Sequence, residues 1–252
     1  MDIYTMFPYF LTVAIMTVII IRTTPVSKGR RGERRVSRKL RSLKRKGYAV
    51  MNDVMLRRTD GKTTQIDHVV IGMGAIYAIE TKNYRGVIDG ARNQKKWTFG
   101  RGRNAKKFMN PLHQNYAHVK ALEELLENAG EKIRVKSIVT FPRRAQVIPL
   151  DMPELVAVRD LCRKIRNDLD ILPYDMSQDE IADIISAANI SSPKMHREHR
   201  RRIRGSRRDD RRNIRRGVCP RCGRKMDKYR FDGKRQWHCP NEECRFDTYY
   251  VL

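Results

Sequence analysis

The chain has 252 residues, with 54 Lys and Arg against 28 Asp and Glu and a formal net charge of +26. That length allows one main domain with a sizeable core and small modules at its ends, not a string of large domains. The charge favours a polyanionic partner, because each phosphate neutralised by Lys or Arg releases counterions. It is concentrated in three segments. Residues 28–46, 85–107 and 194–216 contribute +10, +7 and +9, and the remainder of the chain is neutral.

Residues 3–21, IYTMFPYFLTVAIMTVIII, carry no charge between Asp2 and Arg22. As a helix they would span about 28 Å, close to the hydrocarbon thickness of a bilayer. Residues 1–22 are therefore predicted to be a transmembrane anchor. A cleaved signal peptide fits less well, since no basic region precedes the apolar stretch and no small-residue cleavage site follows it. Arg22, Lys28, Arg30 and Arg31 come next. The positive-inside rule then gives a single-pass protein of the cell membrane, N-terminus outside and body in the cytoplasm. The same basic cluster could touch anionic lipid.

Residues 30–46 read as a basic amphipathic helix with Val36, Leu40 and Leu43 at helical spacing, ended by Gly47. YAVMNDVMLR alternates as a strand, RTDGK is a turn, and QIDHVVIGMGAIYAIETK is a hairpin. Residues 84–109 predict a short strand or two with loops. NPLHQNYAHVKALEELLENAG is a helix entered through Asn110 and Pro111. IRVKSIVTFP and ELVAV are strands, the second leading into a helix that runs to about residue 170. Ser177 and Glu180 form a capping box that opens a further helix. Residues 191–216 lack apolar periodicity and read as an Arg-rich linker. The order predicts an α/β core with a mixed sheet. The domain organisation expected is an anchor (1–22), a core (28–142), its C-terminal helices (143–190), a linker (191–216) and a cysteine module (217–252).

The hairpin raises a chemical question, because Asp67, Glu80 and Lys82 sit inside its apolar runs. With Met73 and Gly74 in the turn, Ile71 faces Ile76, Val69 faces Ala78, Asp67 faces Glu80 and Gln65 faces Lys82. Alternation puts all eight on one face and His68 on the other. Two opposed carboxylates, about 5 Å apart at Cβ, are unfavourable without a cation between them. A divalent metal would supply it, with Lys82 as a positive neighbour. The alternative is an ordinary salt-bridged patch at an edge hairpin. His113 and His118 do not share a helix face well, which argues against a metal pair. Cys162 reads as a small core hydrophobe.

Asp67, then Glu80-Thr81-Lys82 on the next strand, with Glu33 on a preceding helix, resemble the catalytic core of the PD-(D/E)xK nuclease superfamily. More specifically, GERRVSRKL, the hairpin with its continuation NYRGVIDG, isolated Trp97, NPLHQNYAHVKAL and VKSIVTFP resemble the nuclease-related domain (NERD) family over residues 30–142. A looser likeness extends to about residue 190. Ile66 departs from the family pattern, which carries Pro before the aspartate. The resemblance implies a restriction-endonuclease-like mixed sheet flanked by helices. It implies that Asp67 and Glu80, with the Thr81 carbonyl as a further donor, bind magnesium or manganese in the oxygen shell such ions prefer. Lys82 would position or deprotonate the attacking water, Glu33 would bind metal through water or orient Lys82, and Gln114 would support the site. Tyr84, Tyr116 and Trp97 could stack bases, although core packing competes as their role.

Four of the five cysteines lie in CPRCGRKMDKYRFDGKRQWHCPNEECRF. Cys219 with Cys222 and Cys239 with Cys244 are two knuckle pairs, and four thiolates complete the closed tetrahedral shell of structural zinc. His238 could substitute as a ligand. The stretch resembles the four-cysteine zinc ribbon appended to bacterial type I topoisomerases. That resemblance implies contact with single-stranded DNA through Arg221, Arg224, Lys225, Lys228, Arg230, Tyr229, Phe231 and Trp237. The expectation as a whole is a membrane-anchored, metal-dependent nuclease hydrolysing DNA. The alternatives are a catalytically inactive protein that binds or tethers DNA at the membrane, and a scaffold whose basic runs engage lipid.

Overall fold

The computed structural model of the protein describes residues 3–248 except 73, 143–144, 149–150, 169–175, 232 and 245. Helix α1 (Ile3–Thr23) leads into α2 (Pro25–Lys44), which is capped by the Thr24 side chain with Pro25 at its first position. Three antiparallel strands follow: β1 (Ala49–Arg57), β2 (Thr63–Ile71) and β3 (Ile76–Thr81). The chain then builds β4 (Gly86–Asp89), β5 (Lys96–Phe99) and β6 (Lys106–Met109) before α3 (Pro111–Asn128) carries it to β7 (Val135–Phe141). Strands β8 (Ala145–Ile148) and β9 (Leu155–Ala157) precede α4 (Leu161–Arg166) and α5 (Gln178–Ala188). Last come α6 (Pro193–Arg215) and the hairpin of β10 (Asp227–Phe231) and β11 (Lys234–His238).

The main sheet has the order β1-β2-β3-β7-β9, with β7 parallel to β3 and β9 parallel to β7. It is the expected mixed sheet, buried on both faces. Val69, Ile71, Ile76 and Ala78 pack on Val119, Leu122 and Leu126 of α3 and on Ile181 and Ile185 of α5. Val70, Tyr77 and Ile79 pack on Val36, Leu40 and Leu43 of α2 and on Leu161 and Ile165 of α4. Each Val, Leu or Ile buried this fully contributes about 1.5–3 kcal/mol. A second sheet, β6-β5-β4-β8, closes over a third cluster around Trp97, Ile88, Val139 and Phe141. Gly90 lies beneath the Trp97 indole, where an added Cβ would come within 2.1 Å of the ring.

One expectation is corrected. No helix among the described residues is long and apolar enough to cross a membrane. In α1 the Thr12 and Thr17 hydroxyls donate back to the Tyr9 and Val13 carbonyls. The transmembrane anchor over residues 1–22, and the single-pass cell-membrane location built on it, are therefore not supported. Residues 191–216, expected to be a linker, form α6 across most of their length. Arginine is a good helix former, and Ser192 caps the helix by accepting from Met195 N, with Pro193 at its first position.

Candidate active site and cysteine centre

The β2–β3 hairpin closes as its sequence predicts, with Gly72 N donating to Ala75 O. Ile71 pairs with Ile76, Val69 with Ala78, and His68 with Ile79. One residue beyond that ladder, Asp67 and Glu80 approach from the two strands. Asp67 Oδ2 accepts the Thr81 backbone N–H at 2.8 Å. Glu80 is 2 % exposed, and both of its carboxylate oxygens are occupied. Oε1 accepts from Lys82 Nζ and, at 2.9 Å, from Gln114 Nε2, while Oε2 lies 3.1 Å from His118 Nε2. Lys82 Nζ also donates to Gln114 Oε1 at 2.8 Å, which closes a ring of three side chains. Gln114 and His118 are one turn apart on α3, so a single helix face presents both to Glu80.

The charges explain why the ring holds. Burial alone would push the Glu80 carboxyl up, but Lys82 and His118 together hold it below the usual range. Burial pulls Lys82 down, yet the Glu80 carboxylate beside it, helped by Asp67, keeps it above its ordinary value. Asp67 has no such cation of its own. Burial and then the negative charges of Glu80 and Glu33 raise it well above the usual carboxylate range. Glu33, half-buried on α2, is raised by burial and then by Asp53 and Glu80. The sheet end thus gathers Glu33, Asp67 and Glu80 around one lysine. Two of those carboxyls are held back from ionising, and a divalent cation would relieve that repulsion.

A family model described as the nuclease-related domain matches residues 28–142. An uncharacterized protein of Bacillus anthracis is 32% identical over 188 residues, covering 72% of this chain and 86% of that protein. The chain belongs to the nuclease-related domain family. No solved structure matches it.

Within the nuclease-related domain, Glu80, Lys82 and Gln114 are in direct contact, Asp67 stands beside them on the facing strand, and Glu33 acts on them electrostatically from α2. His118 was not foreseen there. Its Nδ1 lies 2.7 Å from Thr64 Oγ1, so a buried Thr64–His118–Glu80 chain backs the carboxylate. The signal was present, since His118 stands four residues after Gln114. Asp53 is a second unforeseen neighbour. It has φ 57° where β1 skips a pairing between Asn52↔His68 and Val54↔Ile66, and its carboxylate meets Gln65 and His196. His68 lies on the opposite face as expected, bonded to Asn52, and burial pulls it down to about 4. Trp97 and Cys162 are core residues, and Tyr84 stacks on Phe99. Tyr116 is exposed.

Beyond the family match, Cys219, Cys222, Cys239 and Cys244 bring their sulfurs within 4.8 Å of one another. Among the described residues this is the one cluster of three or more such metal-ligating groups, and the carboxylates of the sheet end do not form another. Sulfurs arranged tetrahedrally at ~2.3 Å around zinc stand ~3.8 Å apart. The Cys219–Cys244 and Cys222–Cys239 separations are 3.6 and 3.5 Å, so the set fits zinc closely. Two tight turns deliver the thiols: Gly223 N donates to Cys219 O, and Cys244 N donates to Asn241 O. His238 turns instead toward Asp247, 3.5 Å away. Tyr229 is likewise tied to Asp247, and Trp237 packs against the module's small core.

Proposed function

We propose that this protein is a metal-dependent nuclease that hydrolyses DNA phosphodiester bonds, with its chemistry at the end of the β2–β3 hairpin. The observation that carries the reading is the convergence of Asp67, Glu80, Lys82 and Gln114, with Glu33 near, inside a nuclease-related domain. Asp67 and Glu80, with the Thr81 carbonyl, would hold magnesium or manganese, an all-oxygen donor set suited to either. When bound, such an ion neutralises phosphate charge and makes a water molecule a better nucleophile at neutral pH. Lys82 is held protonated by its carboxylate neighbours. Its part is therefore electrostatic: it orients the attacking water and offsets the charge that builds on the phosphorane-like transition state. Gln114 fixes the Lys82 ammonium through its amide oxygen and Glu80 through its amide nitrogen. Glu33 adds negative charge that favours a cation and can orient Lys82. Zinc at the four cysteines would hold the C-terminal module, whose Arg221, Arg224, Lys225 and Lys228 suit contact with DNA.

The test is cleavage of supercoiled plasmid and of single-stranded DNA by the purified chain with magnesium, manganese or EDTA, beside Lys82→Ala. Metal-dependent cleavage lost in the variant is expected. Salt-sensitive DNA binding without cleavage by either protein would replace this reading with a DNA-binding protein that keeps the nuclease fold but not its activity.

A further inference from the structure

The β5–β6 hairpin has two unlike faces. Trp97, Phe99 and Phe108 point inward to the third cluster. Thr98 pairs with Lys107 and Lys96 with Met109, so alternation sends Lys96 and Lys107 outward on one face as diagonal neighbours. Helix α6 brings Arg207 and Arg211, one turn apart, to that same face, where both act electrostatically on Lys96. Lys107, Arg207 and Arg211 are exposed, and Lys96 is half-buried without an ion-pair partner among the described residues. Asp209 lies about 200° around the helix from Arg207, on its far side, and half-buried Asp210, three residues after Arg207, is the one acid of α6 near the arginines.

The placement of α6 is fixed at both ends. Near its start His199 Nδ1 lies 2.7 Å from Thr63 Oγ1, and an Arg202 guanidinium nitrogen donates to Gly61 O at 2.9 Å. Near its end Ile214 is buried with Cys219 and Phe246 in the cysteine module. Arg207 and Arg211 are thus held over the hairpin by contacts they do not make themselves. The line of cations continues onto the module, where Lys95 Nζ and Arg221 Cζ each lie 5.8 Å from the centroid of the Phe246 ring. Like charges at one helical turn destabilise the free protein. A bound polyanion reverses the sign of that cost.

We propose that the outer face of the β5–β6 hairpin and the facing side of α6 form a cradle for the phosphate backbone of nucleic acid, built from Lys96, Lys107, Arg207 and Arg211 and extended by Lys95 and Arg221. The substrate class rests on the nuclease reading, and the cradle deepens it by saying where the strand is held. Its strand β6 runs through Asn110 directly into α3, so Lys107 stands seven residues before Gln114, which touches Glu80 and Lys82. Asn110 secures that junction by donating to the Arg92 and Gln94 carbonyls and accepting from Leu112 N. Recognition of this kind ignores base sequence, because every contact is to charge. A lipid surface fits the face less well: Met109 on the hairpin and Ile203, one turn before Arg207, are its exposed apolar side chains, and membrane surface binding draws on a larger buried apolar area as well as charge.

The test measures binding of the full chain to a labelled short duplex by anisotropy over a salt series. No magnesium or manganese is added, so that binding is read apart from cleavage with zinc left in the cysteine module. Lys96→Gln/Arg207→Gln/Arg211→Gln is compared with Arg34→Gln/Arg38→Gln/Arg41→Gln, an equal charge change on the exposed side of α2, and circular dichroism checks that both variants are folded. The cradle variant should bind at least about tenfold more weakly near 0.1 M salt, with its log–log salt slope reduced by about 2–3, at ~0.9 per phosphate contact. The α2 variant should change both much less. Equal losses in the two variants, or none in the cradle variant, would overturn the proposal. So would lost binding to phosphatidylserine vesicles with DNA affinity kept. A wild-type chain that binds with the full slope but never cleaves would leave the cradle standing and remove the nuclease reading. Cleavage that depends on Lys82, with an unchanged slope in the cradle variant, would do the opposite.

Discussion

At the end of the β2–β3 hairpin, Lys82, Glu80, Gln114 and His118 satisfy one another inside a sheet covered by helices on both faces. Along α6 and the cysteine module, Arg207 and Arg211 stand beside Lys96 and Lys107, and Arg221 shares a ring with Lys95. The first region resolves its charges internally, and there a lost partner leaves a buried ion. The second presents exposed cations that something outside can meet, and a lost cation leaves only a weaker field. The regions should therefore respond oppositely to substitution, the hairpin in stability and the arm in binding.

The largest effect should fall on neither set of charges but on what holds the arm in shape. A module of about 35 residues has too little core to fold unaided, and structural zinc supplies about 10–16 kcal/mol of binding free energy. Cys219→Ser, or removal of zinc by a strong chelator, should collapse the dispersed amide resonances of residues 217–248 while those of residues 28–142 persist. Dispersion retained in the module after metal removal would contradict this.

Next in size is Lys82→Ala, which strands the buried Glu80 carboxylate and should cost about 3–5 kcal/mol in a urea melt. Arg207→Gln, on the exposed arm, should stay within about 0.5 kcal/mol. Equal, small losses for both would erase the contrast drawn above.

His68 supplies a pH test confined to the hairpin. Its imidazole is pulled down to about 4 by burial, from an ordinary value of 6.5. Between those values the unfolded chain binds a proton at this group that the folded chain does not, so the contribution of His68 to stability falls as pH drops from 6.5 towards 4 and is constant above 6.5. The loss approaches about 3 kcal/mol at ~1.4 kcal/mol per pH unit. His68→Gln should flatten that part of the profile, and an unaltered profile would assign the acid sensitivity to another group.

Much of this was legible in the sequence, for local reasons. The short span between Gly72 and Ala75 fixes the hairpin register, and with it the approach of Asp67 to Glu80. Asn110 and the Ser177–Glu180 capping box mark their helices because each satisfies backbone N–H groups nearby. What was not legible depends on partners distant in sequence. The division of the strands into two sheets rests on β8 joining β4 rather than the main sheet. Helix α6 has no apolar stripe, so periodicity could not find it; it is held by polar contacts from His196, His199 and Arg202 to β1, β2 and the turn between them. His118 does not pair with His113 on the helix; its partner on that face is Gln114, and the Glu80 carboxylate they share lies on a strand distant in sequence.

The smallest effect sharpens the role of that histidine. Glu80 is held ionised, so its oxygens only accept, and His118 Nε2 must carry the proton that bridges to Oε2. In the neutral ring Nδ1 is then an acceptor, and the Thr64 hydroxyl, 2.7 Å away, is its donor. Thr64→Val keeps the shape but leaves Nδ1 buried without a partner, a loss of about 1 kcal/mol. If His118 orients Glu80 towards a metal ion, the same change should weaken magnesium or manganese binding by about tenfold, as loss of a group behind a metal ligand does. Thr64→Ser should restore it. Calorimetric titration of the three proteins separates the cases: weakened binding in Val with recovery in Ser assigns a positioning role. A stability loss in Val with metal affinity unchanged would make Thr64 and His118 parts of the core alone.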